Sequence, residues 1–212
     1  MALYLVRHGE DGAASEGRFG DEGLSERGRA QARDVSHSLR SVQFRVCLAS
    51  PLARARETAE AILQGREIPM EISPNLAEGA IGNLAGMTLE SAREKYPNDF
   101  AVGHTLVARL AATARTAPGG EPRDAFMQRA GLVCDRLREE LAFEGPPVLV
   151  VAHGGLLNYA LQLLFGLPLR DEAVFGFDYC GVVRVIAHSE QPGFGPFPML
   201  RFASPADSLV VS

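Results

Sequence analysis

Cysteine is scarce in this chain: three residues among 212, at Cys47, Cys134 and Cys180. An odd set in apolar segments, with no C-x-x-C and no metal-ligand spacing, favours buried free thiols in a reducing compartment over a disulfide framework. Basic excess is missing too. A net charge of −5 leaves no broad basic face for nucleic acid or an anionic membrane, so any anion site has to be local. No apolar run reaches membrane-spanning length. A strand that begins at Ala2 leaves no room for a leader's charged and apolar regions, so a cytoplasmic location is expected. No internal repeat, low-complexity tract or linker divides the sequence. What remains, 46% hydrophobic and 22% charged, is a globular composition, and the length suits one domain over residues 1–212.

Two short apolar runs each end in histidine and glycine. Ala2-Leu3-Tyr4-Leu5-Val6 leads into Arg7-His8-Gly9-Glu10, and Val148-Leu149-Val150-Val151-Ala152 leads into His153-Gly154-Gly155. A buried parallel strand delivers the residues that follow it to the carboxyl edge of its sheet, where open α/β folds bind ligands. Two imidazoles from distant parts of the chain can therefore meet over one pocket. An arginine beside the first suits that pocket to a phosphate.

The rest of the chain alternates strand and helix. Ser25 caps a helix whose stripe is Gly28, Ala32, Val35 and Leu39. A strand near Phe44–Ala49 leads to a helix opened by Ser50-Pro51 that turns Ala55, Ala59 and Ile62 inward. Ile68–Ile72 reads as a short strand, and Arg123 to Leu141 as a helix with Phe126, Ala130, Val133, Leu137 and Leu141 on one face. Strand 148–152 is followed by a helix to about Phe165. The runs Val174–Tyr179 and Val182–Ala187, separated by Cys180-Gly181, read as a hairpin, and Gln191 to Pro198 as turn-rich surface. The expected fold is a three-layer α/β/α sandwich with a largely parallel central sheet. Residues 76–120 break the alternation. This excursion, with a weak helix at Thr88–Tyr96 and then His104, Arg109 and Arg115, reads as a lid or specificity region over the active site or, equally, as plain surface.

Taken singly, the polar candidates are ambiguous. His8 and His153 could each be a satisfied core histidine; their shared context, an apolar strand before and glycine after, argues for function. Arg54, in the first turn of a helix after a strand, lies at the carboxyl edge or is a solvated helix charge. Glu78, beyond a strand in Asn75-Leu76-Ala77, reads equally as a surface carboxylate.

In order along the chain stand Arg7-His8-Gly9-Glu10, Arg18-Phe19-Gly20, Leu24-Ser25-Glu26-Arg27-Gly28, Ser50-x-Leu52-x-Arg54-Ala55-x-x-Thr58, Leu76-x-Glu78 with Gly82 and Gly86, Pro118-Gly119-Gly120-Glu121, and His153-Gly154-Gly155. Together they resemble the histidine phosphatase superfamily, in its phosphoglycerate mutase-like branch. The resemblance implies phosphoryl transfer with neither metal nor cofactor. His8 would attack phosphorus and form a phosphohistidine, with one ring nitrogen held by a backbone carbonyl. Arg7, Arg54 and His153 would surround the non-bridging oxygens, and Glu78 would protonate the leaving group, its pKa raised by the phosphate's charge. Gly9, Glu10, Arg18, Phe19, Gly20 and Gly154 would line the substrate, a small phosphorylated metabolite. Two departures concern the pocket. Ala14 stands where many members carry a phosphate-binding asparagine, so either Arg18 reaches in to compensate or the loop is rearranged. Leu84, Ala85 and Pro122 replace an aromatic, a glutamate and a serine. The preferred reading is a phosphomonoesterase; the alternatives are a mutase and a non-catalytic phosphate or phosphoprotein binder. Oligomeric state is left open.

Overall fold

The computed structural model describes residues 2–97, 118–170, 174–188 and 197–203. Its centre is a six-stranded sheet in the order β3-β2-β4-β1-β5-β6. These strands are β1 (Ala2–Arg7), β2 (Val46–Ala49), β3 (Met70–Ile72), β4 (Val148–Ala152), β5 (Val182–His188) and β6 (Phe197–Ala203). The pairs β3-β2, β2-β4 and β4-β1 are parallel, and β5 runs antiparallel to β1 and β6. The helices are α1 (Gly12–Ser15), α2 (Glu26–Ser38), α3 (Ala53–Leu63), α4 (Leu89–Lys95), α5 (Arg123–Ala142) and α6 (Gly154–Leu164).

Alternation along the central strands divides the core into two layers. Leu3, Leu5, Val148 and Val150 face α5 and α6, meeting Phe126, Ala130, Leu137, Leu156 and Leu161. Tyr4, Val6, Leu149 and Val151 face α2 and α3, meeting Ala32, Val35, Ala59 and Ile62. Both faces of β4 are covered and all five of its residues are buried, which is why its sequence is a continuous apolar run. Cutting Leu5 or Val150, both fully buried, back to alanine is expected to cost about 2–4 kcal/mol.

The three layers and the stripes of α2 and α5 appear as expected. Ser25 caps α2 by accepting the Gly28 N–H at 3.0 Å. The helix after β2 starts later than expected, with Leu52 rather than Ser50 in the capping position. The expected hairpin is displaced. Residues 174–179 form no strand, because their backbone groups bond to side chains: Asn158 Oδ1 accepts from the N–H groups of Val174 and Phe175, both at 3.0 Å, and Arg7 donates to the Phe177 carbonyl at 2.6 Å. β5 pairs instead with β6, which occupies part of the stretch read as surface turns.

The helix α2 that follows β1 and the helix α6 that follows β4 cover opposite faces of the sheet. Neighbouring parallel strands that diverge in this way open a crevice at their carboxyl ends. His8 and His153 stand there.

Candidate active site

Register brings the two histidines together. Arg7 pairs with Ala152 across the parallel ladder, so the next residues, His8 and His153, emerge side by side, and the His8 N–H donates to the Ala152 carbonyl at 3.0 Å. Their ring centroids lie 4.9 Å apart with the planes inclined at 54°, and both side chains are buried. His8 Nδ1 lies 2.7 Å from the carbonyl oxygen of Gly9. That oxygen can only accept, so Nδ1 carries the hydrogen and the Nε2 lone pair is left for the pocket. Arg54 Nε–H donates to it at 3.1 Å. Burial, then the Arg54 charge and, more weakly, that of Arg7 hold His8 well below the usual imidazole range against the raising effect of the Gly9 carbonyl, so the ring is neutral.

Arg54 is buried on the first turn of α3. It also donates through Nη1 to Asp21 Oδ1 at 2.8 Å and to the Gly20 carbonyl at 3.3 Å, and Asp11 lies 3.9 Å from its Nε. Thr58, one turn on, donates to the Arg54 carbonyl at 2.7 Å and accepts the Gly9 N–H at 3.1 Å, so α3 holds both the arginine and the loop after β1. Arg7 lies over the ring of Tyr179, 4.0 Å from its centroid. Tyr179 belongs to the turn Asp178–Gly181, where Cys180 sits at φ 57° and its N–H meets the carbonyls of Arg7 and His8 at 3.1 and 3.2 Å. A non-glycine residue in the left-handed region is strained. Here the strained turn pins the end of β1.

Glu78 reaches the pocket from a loop. Its Oε2 accepts the Gly155 N–H at the start of α6 at 2.9 Å, and Oε1 accepts the Gly79 N–H at 3.1 Å. A Cβ on residue 155 would stand 2.7 Å from Oε1, so the second glycine after His153 is what admits the carboxyl. Burial raises the pKa of Glu78 in the free protein, against the two N–H bonds and the charges of Arg54 and Arg7. Bound phosphate is not required for that direction. The loop is braced from α5: Arg129 Nη1 donates to the carbonyls of Ala77 and, at 2.9 Å, Asn75, while its Nε donates to Glu121 Oε1 at 3.0 Å.

Several residues assigned to the substrate are engaged elsewhere. Arg18 turns outward to Glu16 and Glu22, at 2.6 and 3.0 Å, rather than replacing the asparagine absent at Ala14. The loop carries α1, with Asp11 Oδ1 accepting the Ala14 N–H at 2.9 Å. Phe19 is buried with Leu84 and Ala92 in a small apolar cluster beneath the excursion. Glu10 accepts the Ser25 hydroxyl at 2.9 Å and faces Arg27. Gly9 is glycine because a Cβ there would lie 2.7 Å from the Gly28 carbonyl of α2, and its N–H is already donated to Thr58. Gly20 remains at the site through its carbonyl on Arg54, and Gly154 lies beside the Arg7 side chain. His104, Arg109 and Arg115 lie outside the described residues. Asp21 and Arg129 were not named in the sequence reading, and Ser50, Thr58 and Tyr179, though named in a motif or a strand run, were given no role at the site. Ser50 carried a usable signal, since it follows the apolar strand β2 as the histidines follow β1 and β4; Tyr179 follows no strand and carried none.

Residues 3–194 match the pattern of the histidine phosphatase superfamily, branch 1, and the chain belongs to that family. It is 30% identical over 180 residues to an adenosylcobalamin/alpha-ribazole phosphatase of Escherichia coli (strain K12), covering 84% of each chain. It is 33% identical over 214 residues to a glucosyl-3-phosphoglycerate phosphatase of Mycolicibacterium vanbaalenii, covering 94% of this chain and 91% of the other. Among solved structures, the alpha-ribazole phosphatase from Shigella flexneri superposes with a TM-score of 0.80 at 27% identity, over 97% of this chain and 98% of that one.

Proposed function

We propose that this protein is a phosphomonoesterase that hydrolyses a small phosphorylated metabolite through a phosphohistidine on His8. The observation that carries the reading is the state of His8: a neutral ring with Nδ1–H committed to the Gly9 carbonyl and Nε2 aimed beside Arg54 and His153. Nε2 attacks phosphorus in line as the ester P–O bond breaks, and Arg54 exchanges its bond to Nε2 for one to a phosphoryl oxygen. Arg7, Arg54 and His153 answer the charge of the oxyanion. Glu78, which desolvation makes hold its proton more tightly than an exposed glutamate does, gives that proton to the leaving alkoxide; it then takes one from the water that attacks phosphorus as the P–N bond breaks, releasing orthophosphate and neutral His8. The buried thiols Cys47, Cys134 and Cys180 fit action in a reducing cytoplasm. The named relatives above act on phosphorylated small molecules, which supports the same substrate class here.

The test is to mix the protein with radiolabelled p-nitrophenyl phosphate, quench, and look for an acid-labile, base-stable phosphoenzyme. Wild type is expected to form it and release phosphate, and His8→Ala to do neither. In a parallel incubation with candidate sugar phosphates, an isomerised product without net phosphate release would establish the mutase instead, and silence from both proteins on every substrate a binding module.

A further inference from the structure

Ser50 has no part in the scheme above, yet its surroundings fix a proton that the scheme needs. The side chain is fully buried at the end of β2. Its Oγ lies 2.7 Å from His153 Nε2 and accepts the Leu52 N–H at 3.2 Å, while its own N–H is donated to the Val151 carbonyl at 3.0 Å. On the other side of the imidazole, His153 Nδ1 is buried and finds no hydrogen-bond partner among the described residues. We propose that Ser50 is the positioning residue that sets the tautomer of His153: its hydroxyl donates to Nε2, so that Nδ1 carries the ring hydrogen and offers it to a phosphoryl oxygen.

Two independent requirements lead to this arrangement. The first concerns Ser50. A hydroxyl has one hydrogen to place, and the Leu52 N–H can only donate, so it takes a lone pair of Oγ. Among the described residues the partner left to receive the hydroxyl hydrogen is His153 Nε2. With the hydrogen on Nε2 instead, that hydroxyl would be buried with no acceptor, a loss comparable to breaking a hydrogen bond. The second concerns the ligand. A bare Nδ1 lone pair would face an oxyanion, whereas Nδ1–H would donate to it. The two requirements agree only if His153 is neutral, and burial, supported by the charges of Arg54, Arg7 and Arg129, holds it so. The chain Leu52 N–H to Ser50 O–H to His153 Nε2 then ends in one fixed donor. His8 and His153 are thus set as opposite tools by their second nitrogens. The Gly9 carbonyl makes Nε2 of His8 a lone pair, and the Ser50 hydroxyl makes Nδ1 of His153 a donor.

The inference concerns the same site as the proposed phosphatase, so its test must not depend on turnover. Nitrogen-15 NMR of histidine-labelled wild-type protein at neutral pH is expected to place His153 Nε2 in the range of an unprotonated ring nitrogen and Nδ1 in that of an N–H. Vanadate is expected to shift Nδ1, not Nε2. In Ser50→Ala the Nε2 signal is expected to move toward the tautomer average, with vanadate affinity and kcat/KM for p-nitrophenyl phosphate both falling about 10- to 100-fold. His153→Asn has no tautomer to set, so in that background Ser50→Ala is expected to cost less than about twofold. A wild-type ring protonated on Nε2, or on both nitrogens, overturns the proposal even if the protein proves an active phosphatase. The expected spectra with no turnover would uphold it while sinking the hydrolytic reading.

Discussion

His8 and Glu78 reach the pocket from supports of different kinds. His8 continues a strand buried on both faces, in register with its neighbour β4, and its backbone is bonded to Ala152 on one side and to Cys180 on the other. Glu78 stands on a loop with no strand beneath it, held by two N–H bonds to its carboxylate and by the grip of Arg129 on the carbonyls of Asn75 and Ala77. The first geometry follows from hydrophobic burial and ladder register; the second, from a handful of polar contacts. An interior built the first way tolerates little movement. A loop held the second way can be released by one substitution.

The comparison divides the chemistry, and the largest expected effect follows from that division. Glu78→Gln is expected to lower kcat on alkyl phosphates by about 10²- to 10⁴-fold while leaving p-nitrophenyl phosphate much less affected, because only a basic leaving group needs the proton. Equal losses on the two substrates would remove Glu78 from the acid role. The same carboxyl sets a pH dependence. With its pKa raised by burial, Glu78 keeps its proton further up the pH scale than an exposed glutamate, and alkyl phosphate turnover falls as pH climbs through that raised value.

Releasing the loop is a milder test. Arg129→Ala leaves Glu78 in place but frees the Asn75 and Ala77 carbonyls and strands Glu121, so kcat on alkyl phosphates is expected to drop about tenfold, more than on aryl phosphates. A uniform loss on both substrates would mean that Arg129 supports the fold and not the acid.

The strand-borne half has its own signature in stability. Both histidines have folded-state pKa values well below the ordinary 6.5, so between those values and 6.5 the unfolded chain binds more protons than the folded one. Stability is therefore retained above that range and lost as pH falls into it, by up to about 1.4 kcal/mol per pH unit for each ring. Glu78, with its pKa raised, contributes with the opposite sign, so the histidine signature is read as a difference: in urea unfolding, wild type is expected to lose more stability between about pH 7 and pH 5 than His153→Asn does; a pH dependence unchanged by that substitution would contradict a buried neutral His153. The smallest effect belongs to Arg18. Its guanidinium is engaged by Glu16 and Glu22, in one exposed and one partly buried pair, so Arg18→Ala is expected to leave kcat/KM within about twofold of wild type. A tenfold loss would show that it reaches the substrate.

The same division explains what could be read in advance. Apolar runs ending at residues 6 and 152, and the stripes of α2 and α5, carry period and burial, and those signals survive in a bare sequence; hence the sheet, its two faces and the meeting of His8 with His153 and Arg54 were legible. The loop from Glu10 to Leu24 was not. Arg18, Phe19 and Glu10 could satisfy their charge, surface or hydrogen bonds in several directions, and tertiary partners at Glu22, Leu84 and Ser25 decided among them. The strand expected at 174–179 failed for the same reason. Its backbone partners are side chains of Asn158 and Arg7, remote in sequence and invisible to any local pattern.

The most direct test of the convergence is a crystal structure of the protein with vanadate. Vanadium bonded to His8 Nε2, with the guanidinium groups of Arg7 and Arg54 and the Nδ1–H of His153 on its oxygens, is the expected result. Vanadate bound away from His8, or the two rings too far apart for one oxyanion to touch both, would contradict it.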